Sequence, residues 1–164
     1  LTQQKNFLEL LRYIKELNSK YKDFNLIILG EGEQKEKLKN YIKKNKLDNC
    51  FLLGFRDNPF NYLAKSKLYI SSSLWEEPGH TLLEAGYLNI PILTSNCPNG
   101  PDEIIQNNKN GIKYDLGNKK DFLEKIEFFR NLSSKERKNL CINMKKVVLD
   151  YTEFRFSKKI LRIL

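Results

Sequence analysis

Residues 68–85 read Leu68-Tyr69-Ile70-Ser71-Ser72-Ser73-Leu74-Trp75-Glu76-Glu77-Pro78-Gly79-His80-Thr81-Leu82-Leu83-Glu84-Ala85. Leu68 to Ile70 is a short apolar, β-prone run, and Ser71 to Ser73 end it. Glu76 to Gly79 is polar, and its Pro-Gly pair marks a turn. Good helix formers and apolar residues follow from Thr81 to Tyr87. Strand, loop and helix in that order are the unit of a parallel α/β sheet, whose ligands bind in the crevice at the strand C-termini. A helix N-terminus carries free N–H groups and the positive end of the dipole, which suit a phosphate. Glu76 in the loop and Glu84 in the first turns of the helix bracket that point. Phosphate would take the N–H groups, and sugar hydroxyls would donate to the carboxylates.

The same alternation extends to both sides of this stretch. Phe7, Leu8, Leu10, Leu11, Ile14 and Leu17 recur at helical spacing, which predicts an amphipathic helix up to about Ser19. Asn25 to Leu29 is a continuous apolar run of the kind found in strands covered on both faces. Gly30-Glu31-Gly32 follows, then a helix over about Gln34–Asn45. Phe51 to Leu53 reads as a strand ended by Gly54. Asn58 and Pro59 open a short helix through Leu63. Lys67 to Ser71 is a third strand and Pro91 to Thr94 a fourth, with a Pro-bounded loop at Cys97 to Pro101. Asp102 to Asn107 reads as a short helix and Ile112 to Tyr114 as a last strand. Lys120–Leu132 and Lys135–Tyr151 read as two helices, with Ser133 or Ser134 capping the second. Phe154 to Leu164 is a further amphipathic segment. Strands alternating with helices argue for βαβ units in a Rossmann-like parallel sheet with helices on both faces. The tail from about residue 119 has no strand partner, and it is left open whether it packs on the sheet or crosses to another domain.

The 164 residues fit one domain with a single core. Hydrophobic content is 40% and charged content 30%, as in an ordinary folded protein. The net charge of +9, from 29 Lys and Arg against 20 Asp and Glu, is scattered along helices and reads as a solvated surface. It carries no aromatic-basic motif for nucleic acid, and it leaves room for contact with an anionic membrane surface. Cys50, Cys97 and Cys141 lack metal-type spacing and read as free thiols of a reducing, cytoplasmic compartment. No signal peptide and no membrane-spanning run is present in the sequence. The chain opens on Leu1 without an initiator Met and is expected to be a piece of a longer protein.

Several residue groups could carry chemistry. Gly30-Glu31-Gly32 sits where a phosphate-binding turn would be, yet Lys35 stands where a dinucleotide fingerprint needs its third glycine. Close ligand approach and a plain positive-φ turn both remain open there. Glu76 and Glu84 are the stronger signal, because Leu82, Leu83 and Ala85 flank Glu84 and set it apart from a broad charged face. His80 offers either its ring or only its backbone N–H.

Taken in order, Lys5-Asn6-Phe7, Ile28-Leu29-Gly30-Glu31-Gly32, Phe51-Leu52-Leu53-Gly54-Phe55, Ser73 through Glu76 to Leu83-Glu84-Ala85, and Asn89-Ile90-Pro91-Ile92-Leu93 resemble the C-terminal half of the retaining glycosyltransferases of family four, also called group one. The resemblance runs from Leu1 to about Phe129. Its most specific element is the pair of glutamates eight apart, set between a Ser-ended strand and Ala85-Gly86 followed by Pro91. It implies the donor-binding half of the GT-B architecture, with the acceptor domain, the first strand and a partner arginine lying before Leu1. The implied donor is a nucleotide diphosphate sugar, with UDP favoured over GDP. The resemblance implies that Lys5 meets the diphosphate, Glu76 the sugar hydroxyls and Glu84 the ribose. It implies that backbone N–H groups of His80, Thr81 and Leu82, after Gly79, meet the diphosphate. Phe55 and Arg56 fall at the base, and Gly30 and Gly32 at the cleft edge. Lys5 and Glu76 are the residues expected to carry catalysis. The sequence departs from the family at Glu77-Pro78-Gly79 and at the loop Asn96 to Glu103. That loop is similar to a branch acting on cell-envelope polysaccharides, often with UDP-linked amino sugars.

The implied reaction is transfer of a hexosyl group, with N-acetylhexosaminyl as one case, to a glycan or lipid-linked acceptor. Lys5, the arginine and the helix N-terminus would stabilise the leaving diphosphate. No metal and no further cofactor is expected, since no Asp-x-Asp motif is present. Two alternatives are a nucleotide-sugar epimerase of the same fold and a non-catalytic binding module at a membrane surface.

Overall fold

The structure is a computed structural model and describes residues 1–151. Its helices are α1 Phe7–Lys20, α2 Lys35–Lys44, α3 Phe60–Leu63, α4 His80–Tyr87, α5 Gly100–Ile104, α6 Lys119–Asn131 and α7 Ser134–Asp150. Its strands are β1 Leu26–Leu29, β2 Cys50–Gly54, β3 Tyr69–Ser71, β4 Ile92–Ser95 and β5 Ile112–Tyr114. All strand pairs are parallel, as the alternation of helix and strand predicts. The described strands form two hydrogen-bonded pieces rather than one sheet: β1 with β2, and β3, β4, β5 in that order.

The core shows why helices lie on both faces. Successive side chains of a strand point to opposite faces. On β4, Leu93 enters a cluster with Leu10, Leu11 and Ile14 of α1 and Phe122 of α6, whereas Ile92 enters a second cluster with Leu82 and Ala85 of α4 and Ile104 of α5. Strand β4 is buried at every position because it is covered from both sides. Over residues 119–150, the described part of the tail left open by the sequence packs against this sheet and its helices. Phe122, Ile126 and Phe129 line one side of α6, an i, i+4, i+7 stripe against the core. Phe122 is fully buried, edge-on to Tyr114 of β5 and tilted against Tyr13 of α1, with both centroid distances 5.1 Å. Helix α7 contributes Leu140 to the first cluster and Met144 and Val148 to the second, where it packs on α4.

Local signals set the helix ends. Ser133 caps α7 in a reciprocal box with Glu136, and Asn118 caps α6 through the N–H of Asp121. Asn58 accepts the N–H of Phe60 at 3.1 Å, as expected of it. Helix α4 begins at His80, one residue before the expected start, because Gly79 adopts φ 81° and turns the chain into the helix. Helix α5 runs Gly100–Ile104 instead of Asp102–Asn107. Its Pro101 fits the first turn, and past Ile104 the backbone is redirected by Asn110, whose side chain accepts from Gln106 N–H and donates to the Ile104 carbonyl. A 3-10 turn at Gln3–Lys5, unforeseen in the polar opening segment, precedes α1. The amphipathic segment Phe154 to Leu164 lies outside the described residues. Cys50, Cys97 and Cys141 are buried free thiols, and burial pushes all three thiols up from their ordinary value.

Candidate functional site

The C-terminal end of β3 meets the turn before α1. Ser71, Ser72 and Ser73 are buried there in succession, and Glu76 is 5% exposed. A buried carboxylate is costly unless paired and hydrogen-bonded. Glu76 is both. The ammonium of Lys5 lies 2.8 Å from Oε1 and 2.9 Å from Oε2, and the Ser73 hydroxyl donates to Oε1. The strand-end serines and Gln4 also fix the lysine's segment. Ser72 Oγ donates to the Lys5 carbonyl at 2.7 Å, Leu74 N–H to the Gln4 carbonyl at 2.8 Å, and Gln4 Nε2 to the Trp75 carbonyl at 2.8 Å. Ser95, at the end of β4, donates to the Ser73 carbonyl at 2.7 Å. Two residues far apart in sequence thereby form one charged pair at the strand ends.

The loop then leads into α4. Glu76 N–H donates to the Pro98 carbonyl at 3.4 Å, so the Cys97 to Pro101 loop lies beside it. A methyl group at Gly100 would lie 2.9 Å from the Pro78 carbonyl oxygen and 3.1 Å from Gly79 Cα, so only glycine lets the two loops approach so closely. The N–H of Leu82 donates to the Gly79 carbonyl at 2.9 Å, and the Leu82 side chain is buried. Leu82 is thus occupied inside the helix turn, and His80 and Thr81 stand at the helix head. His80 is exposed, and Glu84, on the next turn, is half-buried. Burial foremost, with the charges of Glu76 and Glu84 adding, pushes the Tyr69 phenol up to about 12 even with the opposing pull of the Thr81 side chain.

The remaining expected residues follow β1 and β2. Phe55 and Arg56 follow β2 and are exposed, and the Arg56 guanidinium donates to the Tyr62 hydroxyl at 3.2 Å and the Phe55 carbonyl at 3.0 Å. Gly30 and Gly32 have φ of 113° and 152°, the positive values of a turn. The close approach at Gly32 is to the chain's own first residue: an added Cβ would lie 2.4 Å from the Leu1 nitrogen. A shallow polar cleft beside β5, bordered by Asp102, Lys113, Asp121 and Lys125, excludes Glu76. Its charges pair with one another, Lys113 with Asp102 at 3.2 Å and Lys125 with Asp121 at 3.6 Å. The residues that sequence reasoning missed are Ser72, Ser73, Ser95 and Gln4. The signal was there in part: three consecutive serines ending a strand offer hydroxyls where an acidic loop follows.

The family model described as glycosyl transferases group 1 matches residues 1–147. The chain belongs to the group 1 glycosyltransferases. Among relatives of this family, an uncharacterized glycosyltransferase of Methanocaldococcus jannaschii is 44% identical over 106 residues, covering 64% of this chain and 26% of that protein. The poly(ribitol-phosphate) alpha-N-acetylglucosaminyltransferase of Staphylococcus aureus is 34% identical over 100 residues, covering 60% of this chain and 20% of that protein. Among solved structures, a TarM variant of S. aureus in complex with fondaparinux, alpha-GlcNAc-glycerol and UDP superposes with a TM-score of 0.90 at 25% identity, over 99% of this chain and 33% of that one. The group 1 chain therefore spans only a fraction of the length of these relatives, and its fold is that of GT-B glycosyltransferases.

Proposed function

We propose that this chain is the donor-binding part of an enzyme that transfers a hexosyl group, with N-acetylhexosaminyl favoured, from a UDP-sugar to a glycan or lipid-linked acceptor in cell-envelope polymer synthesis, with retention. The observation that carries the reading is the Lys5–Glu76 pair at the strand ends beside the head of α4. Each member of the pair matches one part of a nucleotide sugar. An ammonium and helix N–H groups suit the diphosphate, and a buried, oriented carboxylate suits sugar hydroxyls. Glu84, eight residues on, suits the ribose.

In the proposed reaction Lys5 and the N–H groups of His80 and Thr81 stabilise charge as it develops on the leaving diphosphate. Glu76 accepts hydrogen bonds from the sugar and holds the ring in place; it orients rather than attacks. Named relatives act on poly(ribitol-phosphate), poly(glycerol-phosphate) and diphosphoundecaprenol-linked acceptors, which supports an envelope polymer or lipid-linked substrate for this one. The proposed place of action is the cytoplasm, at the inner face of the membrane. Among the described residues no helix is long and apolar enough to cross a membrane.

The test is product analysis with the full-length protein, a UDP-sugar and acceptor. The expected result is a glycosylated product that keeps the donor's anomeric configuration and is lost in Glu76→Ala. Conversion of donor alone into its epimer, or transfer undiminished in Glu76→Ala, overturns the reading.

A further inference from the structure

Glu76 is held by two partners of unlike character. The Lys5 side chain is 34% exposed and reaches the carboxylate on a flexible four-carbon stem. Its backbone is pinned by Ser72, so the side chain is the part free to move. Ser73 is 2% exposed, three residues from Glu76, and fixed on both sides. Its carbonyl accepts from Ser95 Oγ at 2.7 Å, and its hydroxyl accepts from Ser71 Oγ at 3.3 Å. A hydroxyl has one proton to donate. With Ser71 donating into its lone pair, the Ser73 proton is directed to Glu76 Oε1.

We propose that Ser73 is a positioning residue that sets Glu76 for the donor sugar. The inference rests on the nucleotide-sugar reading of the site and deepens it. A diphosphate draws the Lys5 ammonium away, and Glu76 then stands buried without its counter-ion. The Ser73 bond persists through this exchange and keeps Oε1 occupied. Lys5 spans both oxygens, so its departure leaves Oε2, which Ser73 does not hold, to accept from a sugar hydroxyl. Ser73 touches no part of the donor in this scheme. It governs the affinity that the sugar adds to the nucleotide and leaves the nucleotide's own affinity unchanged.

The experiment is calorimetric titration of the chain with UDP and with UDP-N-acetylglucosamine, for wild type, Ser73→Ala, Ser73→Thr and Glu76→Gln. The wild type is expected to bind the sugar nucleotide more tightly than UDP. Ser73→Ala is expected to narrow that gap about tenfold while the Kd for UDP stays within about twofold. Ser73→Thr, which keeps the hydroxyl, is expected to restore the gap. If Ser73→Ala does not fold, Ser73→Cys carries the same expectation, since a thiol is a weak donor of similar size. The inference is overturned by equal weakening of both ligands in Ser73→Ala, or by a wild type without a gap. A gap that survives Ser73→Ala but is lost in Glu76→Gln overturns the inference alone. A gap that survives Glu76→Gln, or no nucleotide binding at all, overturns the proposed function and this inference with it.

Discussion

Lys5 Nζ lies 2.8 Å and 2.9 Å from the two carboxylate oxygens of Glu76, joining residues 71 positions apart in the chain. The pair ties the turn before α1 to the loop after β3, and it offsets the burial of Glu76. Replacing Lys5 by Ala leaves the carboxylate with Ser73 as its charge-stabilising partner. Because Lys5 is partly exposed, the expected loss is at the lower end for charged hydrogen bonds, about 1–2 kcal/mol. Thermal unfolding checks it, as a Tm lowered by several degrees. On the proposed function, the same variant binds UDP about tenfold more weakly.

The contact of α4 with α7 gives a second prediction. A Cβ at Gly86 would lie 2.5 Å from Met144 Cγ and 2.8 Å from Val148 Cγ2. Gly86→Val therefore overpacks this contact and is expected to cost about 1–3 kcal/mol. Combining it with Met144→Ala makes room, so the two substitutions together are expected to cost less than the sum of each alone. Denaturant titration of the single and double variants measures that coupling.

Acid sensitivity follows from the carboxylates that are paired on the surface. Hydrogen bonds from Ser133 hold Glu136 below its ordinary value of 4.5, and a hydrogen bond from Lys119 does the same for Glu16. A folded-state value below the unfolded one means the stabilisation is complete above about pH 4.5 and is lost as pH falls through the lower folded values. Unfolding monitored between about pH 6 and about pH 3 is expected to show falling stability in that window. Ser133→Ala removes the hydroxyl part of the Glu136 share, leaves the bond from the residue's backbone N–H, and is expected to flatten the curve in part; an unchanged slope would contradict it.

Much of the fold was legible because its determinants are local. The alternation of apolar runs with helical periodicity gave parallel βαβ units, but the apolar run Asn25 to Leu29, expected to be covered on both faces, is not: Ile28 is buried while Ile27 is 47% exposed, and β4 is the strand buried at every position. The bounds of α4 and α5 were not legible to the residue. They depend on Gly79 at positive φ, on Pro101 in the first turn and on the Asn110 side chain turning the backbone, all of which are set by where the loops meet. For the candidate site, the family resemblance singled out Lys5 and Glu76, and the fold brings them into contact. The serines that orient them were read only as strand terminators. Their hydrogen bonds use a carbonyl from the turn before α1 and a hydroxyl from β4, contacts that no local pattern encodes. Sequence spacing likewise says nothing of Leu82's N–H, which its own helix turn occupies.

The most direct test of the proposed donor site is calorimetric titration of the chain with UDP, alongside Glu84→Ala. The prediction is saturable binding by the wild type, weakened about tenfold when the carboxylate proposed to meet the ribose is removed. No binding of UDP at millimolar concentration, or an equal Kd in Glu84→Ala, would contradict it.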